Sequence, residues 1–178
     1  MMRIILTVVA LVAASPAAAQ SALKNHNADA PIDIDAATFS GDDAAGRATW
    51  SGDVRVIQGK MTLTADTVTA LYTRSKKGGD PQIDRIDAQN NVKLVTPSET
   101  ASGRTGIYDT VRRTITLIGG VTLTHGDSVL RGQRLAIDLD SGKSRLDGAN
   151  TGPATPGAAP TSGRVSGRFV VPPRQTSN

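Results

Sequence analysis

The chain has no cysteine, only two histidines, and aromatic residues at 3% of its length. Without thiols there is neither a disulfide framework nor a thiolate metal site, so an oxidising compartment is permitted but not exploited. Stability must come from packing and backbone pairing. A nucleophilic or metal mechanism needs converging His, Cys or carboxylate groups. The sole histidines are His26, in a polar leader, and His125, in an expected turn, and the carboxylates are scattered over strand ends and turns. No enzyme, cofactor or metal is therefore expected. The formal net charge is +4, falling to +3 if Arg3 is removed. This mild excess, with so few stacking residues, argues against nucleic acid as a partner, because such binders carry a clustered basic stripe interleaved with aromatics. Arg74, Lys76 and Lys77 beside Gly78 and Gly79 read as a solvated turn. No apolar stripe at three-to-four spacing follows Gln20, so helix is not expected.

What the sequence does contain begins with Met1-Met2-Arg3, an apolar stretch from Ile4 to Ala14, and the small residues Ser15 to Ala19. That order is a secretory signal peptide over residues 1–19, with cleavage between Ala19 and Gln20. The apolar stretch is shorter than the about 20 residues that span a bilayer, so a retained anchor is disfavoured. From Ala149 onward the chain is rich in Pro, Gly, Ala and Thr. Residues 149–178 therefore read as a flexible tail that lacks the apolar content to offset ordering entropy.

Between these ends the pattern is one of strands. Asp53 to Thr64 alternates apolar and polar residues on both sides of Gln58-Gly59, which predicts a hairpin. The layout returns at Val121 to Leu130 around His125-Gly126-Asp127, with a degenerate copy at Val92 to Val95 turning at Thr96-Pro97-Ser98. The copies align on Gly52-Asp53-Val54, Asn90-Asn91-Val92 and Gly119-Gly120-Val121. The same alignment sets Leu71 against Ile107 and Ile137, and Tyr72 against Tyr108. Such recurrence marks stacked units that cannot bury an apolar face alone. Val, Ile and Thr dominate the periodic segments, so the fold should be all-β, a curved, rolled sheet with two ends. Glycines such as Gly106, Gly119, Gly120 and Gly132 fall where bulges or sharp bends are needed. Its layers either lie fully packed together or stand apart around an apolar groove.

Three segments carry a family resemblance: Pro31 to Ala36; Thr49-Trp50-Ser51-Gly52-Asp53-Val54-Arg55-Val56-Ile57-Gln58-Gly59; and Leu63-Thr64-Ala65-Asp66-Thr67-Val68 with Tyr72. Together they resemble the OstA-like domain of lipopolysaccharide transport proteins, over residues 31–148. The resemblance implies a β-jellyroll of antiparallel strands, open at both ends and built here from repeated hairpin units. It also implies an apolar interior for the acyl chains of lipopolysaccharide and a periplasmic location. Partners implied are an LptC-like inner-membrane protein, an LptD-like outer-membrane protein, and further copies in a head-to-tail homo-oligomer. Residues expected to face inward onto the lipid are Val54, Val56, Met61, Leu63, Leu71, Ile86, Val92, Leu94, Ile107, Ile115, Leu117, Val121, Leu123, Leu135 and Ile137.

The edge strands expected to carry assembly are the N-terminal one near Ile32 to Phe39 and the C-terminal one near Gln133 to Leu139. Pro97 and the Glu99 to Gly103 run leave the strand limits of the middle copy open. Asp66 reads as a structural hydrogen-bonding residue. Two rivals remain: a membrane-associated LptC-like component, which would retain its N-terminal hydrophobic segment, and a β-scaffold that binds no lipid. The mass of the mature protein separates the first from a cleaved carrier.

Overall fold

The computed structural model describes residues 26–74, 81–148 and 163–169. The leader with its Ala19-Gln20 junction, the Lys76 to Gly79 loop and most of the expected tail lie outside the described residues.

Ten strands follow in chain order: β1 (Ile32–Asp35), β2 (Thr38–Asp42), β3 (Arg47–Gln58), β4 (Met61–Thr73), β5 (Gln82–Val95), β6 (Glu99–Asp109), β7 (Thr114–His125), β8 (Ser128–Asp138), β9 (Ser144–Asp147) and β10 (Ser166–Arg168). They form one open antiparallel sheet, with no helix among the described residues. β1 and β2 both pair with β3, β3 to β8 pair in sequence, and β9 and β10 both pair with β8. The expected hairpins close at Gly59-Lys60 and Gly126-Asp127, and β6 runs unbroken from Glu99 after the Pro97 turn.

The three aligned copies prove to be three copies of a bulge. Gly52-Asp53, Asn90-Asn91 and Gly119-Gly120 all have positive φ. The ladder slips at each pair, between Ser51 and Val54, Gln89 and Val92, and Ile118 and Val121. Two successive left-handed residues turn the strand sharply, and Gly, Asn and Asp bear that conformation at least cost. Because the bulges sit level with one another on the alternate strands β3, β5 and β7, they form a corner along which the sheet folds over. The strand halves that meet at the Gly59, Pro97 and Gly126 turns form an upper layer, and the other halves form a lower one. Their inner faces share a single apolar core.

Two rows cross that core from edge to edge. In the upper layer Ile34, Val56, Leu63, Leu94, Ala101, Leu123 and Leu130 are cross-strand neighbours. In the lower layer the row is Phe39, Trp50, Val68, Ala88, Gly106, Leu117, Leu135 and Leu146. Gly106 is a close approach of the two layers, where an added Cβ would lie 3.0 Å from Val92 Cγ1 and 3.2 Å from Leu117 Cδ2. Leu117 is 0% exposed. Leu117→Ala should therefore cost about 2–5 kcal/mol, read as a shift in urea unfolding midpoint.

Three expectations are corrected. Leu71 and Ile107 are half-buried on the outer face, not inward. On β4 the buried set runs Met61, Leu63, Ala65 and then Val68, Ala70; on β6 it runs Ala101 and then Gly106, Tyr108. The alternation slips by one residue at the corner, and a slip of one reverses every side chain beyond it. Second, the Gln133 to Leu139 strand is not an edge, because β9 and β10 cover β8. Third, the tail is not featureless, since Ser166 to Arg168 pair with Val129 to Arg131. A Cβ on Gly148 would collide with the backbone of Gly163 and Arg164. The chain thus returns to the point where it left, and β9 and β10 are two halves of one edge strand. The N-terminal edge is likewise split, into β1 and β2.

Candidate functional site

The inner faces place Val54, Val56, Met61, Leu63, Ile86, Val92, Leu94, Ile115, Leu117, Val121, Leu123, Leu135 and Ile137 in one buried cluster. In the middle of the molecule the layers are closed by these side chains. At the β8–β10 end they part around a cavity of about 350 Å³. Leu123 and Leu130 line it from the upper layer, Leu135 and Leu146 from the lower, with Phe169 at the rim. This is the small end of the about 300–1,000 Å³ range of ligand pockets. Its polar border includes His125, whose Nδ1 lies 3.5 Å from Glu99 Oε1. At the opposite end Phe39, 64% exposed, packs tilted against Trp50 with ring centroids 5.3 Å apart and continues the lower row into solvent. Both ends of the interior therefore present apolar side chains. Phe39, Leu130, Leu146 and Phe169 are not among the inward residues expected from the sequence, and Trp50 enters only within the resemblance.

Among the described residues two polar side chains are buried with the apolar lining, Thr96 and, more deeply, Gln58. Gln58 is 1% exposed. Its Oε1 accepts from the Tyr108 hydroxyl and from His26 Nε2, both at 3.0 Å, and its Nε2 donates to the carbonyls of Ala28 at 2.9 Å and Ala30 at 3.0 Å. The Gln58 to Tyr108 bond joins the upper layer to the lower across the side opposite the corner. Burial pushes the Tyr108 phenol up, so it stays a protonated donor.

The remaining polar features are structural. On the outside of the corner Asn91 Nδ2 donates to both oxygens of Asp66, at 3.0 and 2.9 Å, as the reading of Asp66 required. Arg74 pairs with Asp43 at 2.9 Å and lies over the Tyr72 ring. Asp109 and Asp138 close lower-layer turns and are held below the usual carboxylate range, the first chiefly by the Arg112 backbone N–H and the second by that of Ser141. A lowered carboxylate stabilises the fold above its unfolded value of about 3.9, and the effect is lost as pH falls through the lowered value. These turns therefore hold at neutral pH and loosen only in strong acid.

The described residues form an open antiparallel jellyroll with a folded apolar core and apolar side chains at both of its ends. Residues 33–143 match the family described as LptA/(LptD N-terminal domain) LPS transport protein, and the chain belongs to that family. The family is one of transport proteins, not enzymes. An uncharacterised protein of Rhizobium meliloti (strain 1021) is 35% identical over 123 residues, 67% of this chain and 66% of that protein. The chain thus spans about two thirds of that relative's length. The fold is similar to that of LptH, the LptA homologous periplasmic component of the conserved lipopolysaccharide transport device from Pseudomonas aeruginosa. The TM-score is 0.64 at 22% identity, covering 83% of this chain and 99% of LptH.

Proposed function

We propose that this protein is a periplasmic bridge that carries lipopolysaccharide from the inner to the outer membrane, holding the acyl chains between its two layers and leaving the sugar and phosphate head in water. The observation that carries the reading is the apolar interior that emerges at the Phe39 edge and at the Leu130, Leu146 and Phe169 mouth. Each methylene taken from water is stabilised by about 0.8 kcal/mol, so a chain of about 12 carbons gains up to roughly 10 kcal/mol. An unshielded tail forfeits all of that. The thirteen buried candidates are the proposed lipid contacts. Photo-crosslinking from Leu63 and Leu123 in cells should capture lipopolysaccharide, and Ile107, on the outer face, should not. Capture from Ile107 alone would leave a scaffold that carries no lipid.

The edges support head-to-tail stacking, and an LptC-like and an LptD-like protein at the two ends of the bridge. Each edge leaves backbone groups free to pair, and joining unlike ends gives an open filament. The β1–β2 edge carries Asp33, Asp35 and Asp42, with no Lys or Arg between residues 29 and 46. The β9–β10 edge carries Arg145, Arg164 and Arg168 against a single Asp147. Opposite signs favour head against tail and disfavour like ends. Assembly should therefore weaken as added salt shortens the screening length from about 8 Å to about 3 Å at 1 M. Sedimentation velocity at both salts measures this, and a strictly monomeric protein at high concentration and low salt would refute the stacking.

A further inference from the structure

We propose that residues 26–30 are a removable strap over a lateral portal, through which the acyl tails of an amphiphile pass between the layers from the side, not only through the ends. The inference rests on the transport reading above. Its basis is the seam opposite the corner, where the free margins of the two layers meet.

That seam is held by polar contacts. Val54, Val56 and Gln58 are successive inward positions after the first bulge. The matching positions after the second and third are Val92, Leu94, Thr96 and Val121, Leu123, His125. These margin positions at the ends of β3, β5 and β7 are thus polar in every copy, while the buried Met61 of β4, opposite Gln58, is apolar. Thr96 bonds within its own turn to Glu99, and His125 is largely exposed beside the mouth. Gln58 instead crosses to Tyr108 and grips the strap at His26, Ala28 and Ala30. The second tie is Arg113 Nη2 to Asp29 Oδ1, at 2.9 Å between exposed groups.

Apolar side chains would seal a permanent seam better, because separating them exposes surface that water does not welcome. Gln58 is satisfied in either state. Closed, its amide is bonded to the strap and Tyr108; open, water replaces each partner, so the net difference per bond is small. Exposed ion pairs such as Asp29 with Arg113 likewise hold weakly. Next to the strap lies a cavity of about 710 Å³, bordered by Ile32, Ile83, Val111, Gln58 and Arg113. Val111 is 74% exposed there, an apolar side chain at the rim of a polar closure. Lifting the strap would join this cavity to the Gln58 end of the interior.

The test uses the full mature chain, whose sequence has no cysteine of its own. Asp29→Cys and Arg113→Cys are introduced together, bridged with a short bis-maleimide or blocked with a mono-maleimide, and mixed with purified lipopolysaccharide. The blocked protein, having lost its ion pair, should load at least as fast as wild type, and the bridged protein at least about ten-fold slower, as expected when closure limits passage. Equal loading of bridged and blocked protein would overturn the portal while leaving transport through the ends intact. A wild-type protein that takes up no lipopolysaccharide would overturn the transport reading, and the portal with it.

Discussion

Leu146→Glu should lower capture of lipopolysaccharide by at least about ten-fold while leaving the fold in place. Leu146 is half-buried at the mouth, facing Leu130 and Phe169 across the cavity, so its carboxylate stays hydrated in the empty protein. Acyl chains entering the mouth would strip that water away. An ionised carboxylate transferred unpaired into an apolar site costs several kcal/mol, and about 1.4 kcal/mol is already ten-fold in affinity. Leu71→Glu is the matched control, since Leu71 lies on the outer face. Co-purification of labelled lipopolysaccharide with each variant, beside its thermal midpoint, makes the measurement. Equal loss in both variants would mean that charge at large, not the mouth, governs capture.

The second large effect is on the corner, and it distinguishes two adjacent glycines. Gly119 has φ +89 and an added Cβ would lie 2.9 Å from Arg104 Cβ, whereas Gly120 has φ +65 with nothing within 4 Å. The preceding copy already holds asparagine in the second position, Asn91 at φ 49. Gly120→Asn should therefore change stability by less than about 0.5 kcal/mol, as an open site that tolerates the left-handed form. Gly119→Asn must strain the backbone and push Arg104 aside, at a cost of about 1–3 kcal/mol. Urea unfolding of the two variants reads the difference. If both are neutral, the corner is not fixed by these conformations.

The same residues explain what was legible beforehand. The bulges announced themselves because a left-handed pair selects Gly, Asn or Asp, and three such pairs recur before Val54, Val92 and Val121. Alternation places the inward residues on β3, β5 and β7 correctly, since Ala48 and Val54, Ala88 and Val92, and Leu117 and Val121 keep one phase across the corner. On β4 and β6 the phase slips where the residues are Ala-Asp-Thr and Gly-Arg-Thr, with no left-handed residue to announce it. Leu71 and Ile107 lie beyond those slips and so were assigned to the wrong face.

β10 escaped notice for a different reason. Its partner half, β9, is separated from it by a stretch of Pro, Gly, Ala and Thr, so neither half is long enough to read as a strand. Only the pairing with β8 reunites them. Gln58 reads as a turn residue, because nothing in the local sequence tells that its amide meets Tyr108 and the 26–30 segment once the sheet folds over. Long-range closure is invisible to periodicity.

A bridge of this kind must hold the fatty tails inside the sheet when the protein is loaded. With lipopolysaccharide carrying carbon-13 in its acyl chains, methyl-detected nuclear Overhauser contacts should link those chains to Leu63, Leu117, Leu123 and Leu135, and to neither Leu71 nor Ile107. Contacts confined to Leu71 and Ile107, with the interior methyls unchanged from the empty protein, would place the lipid outside the sheet and contradict the account.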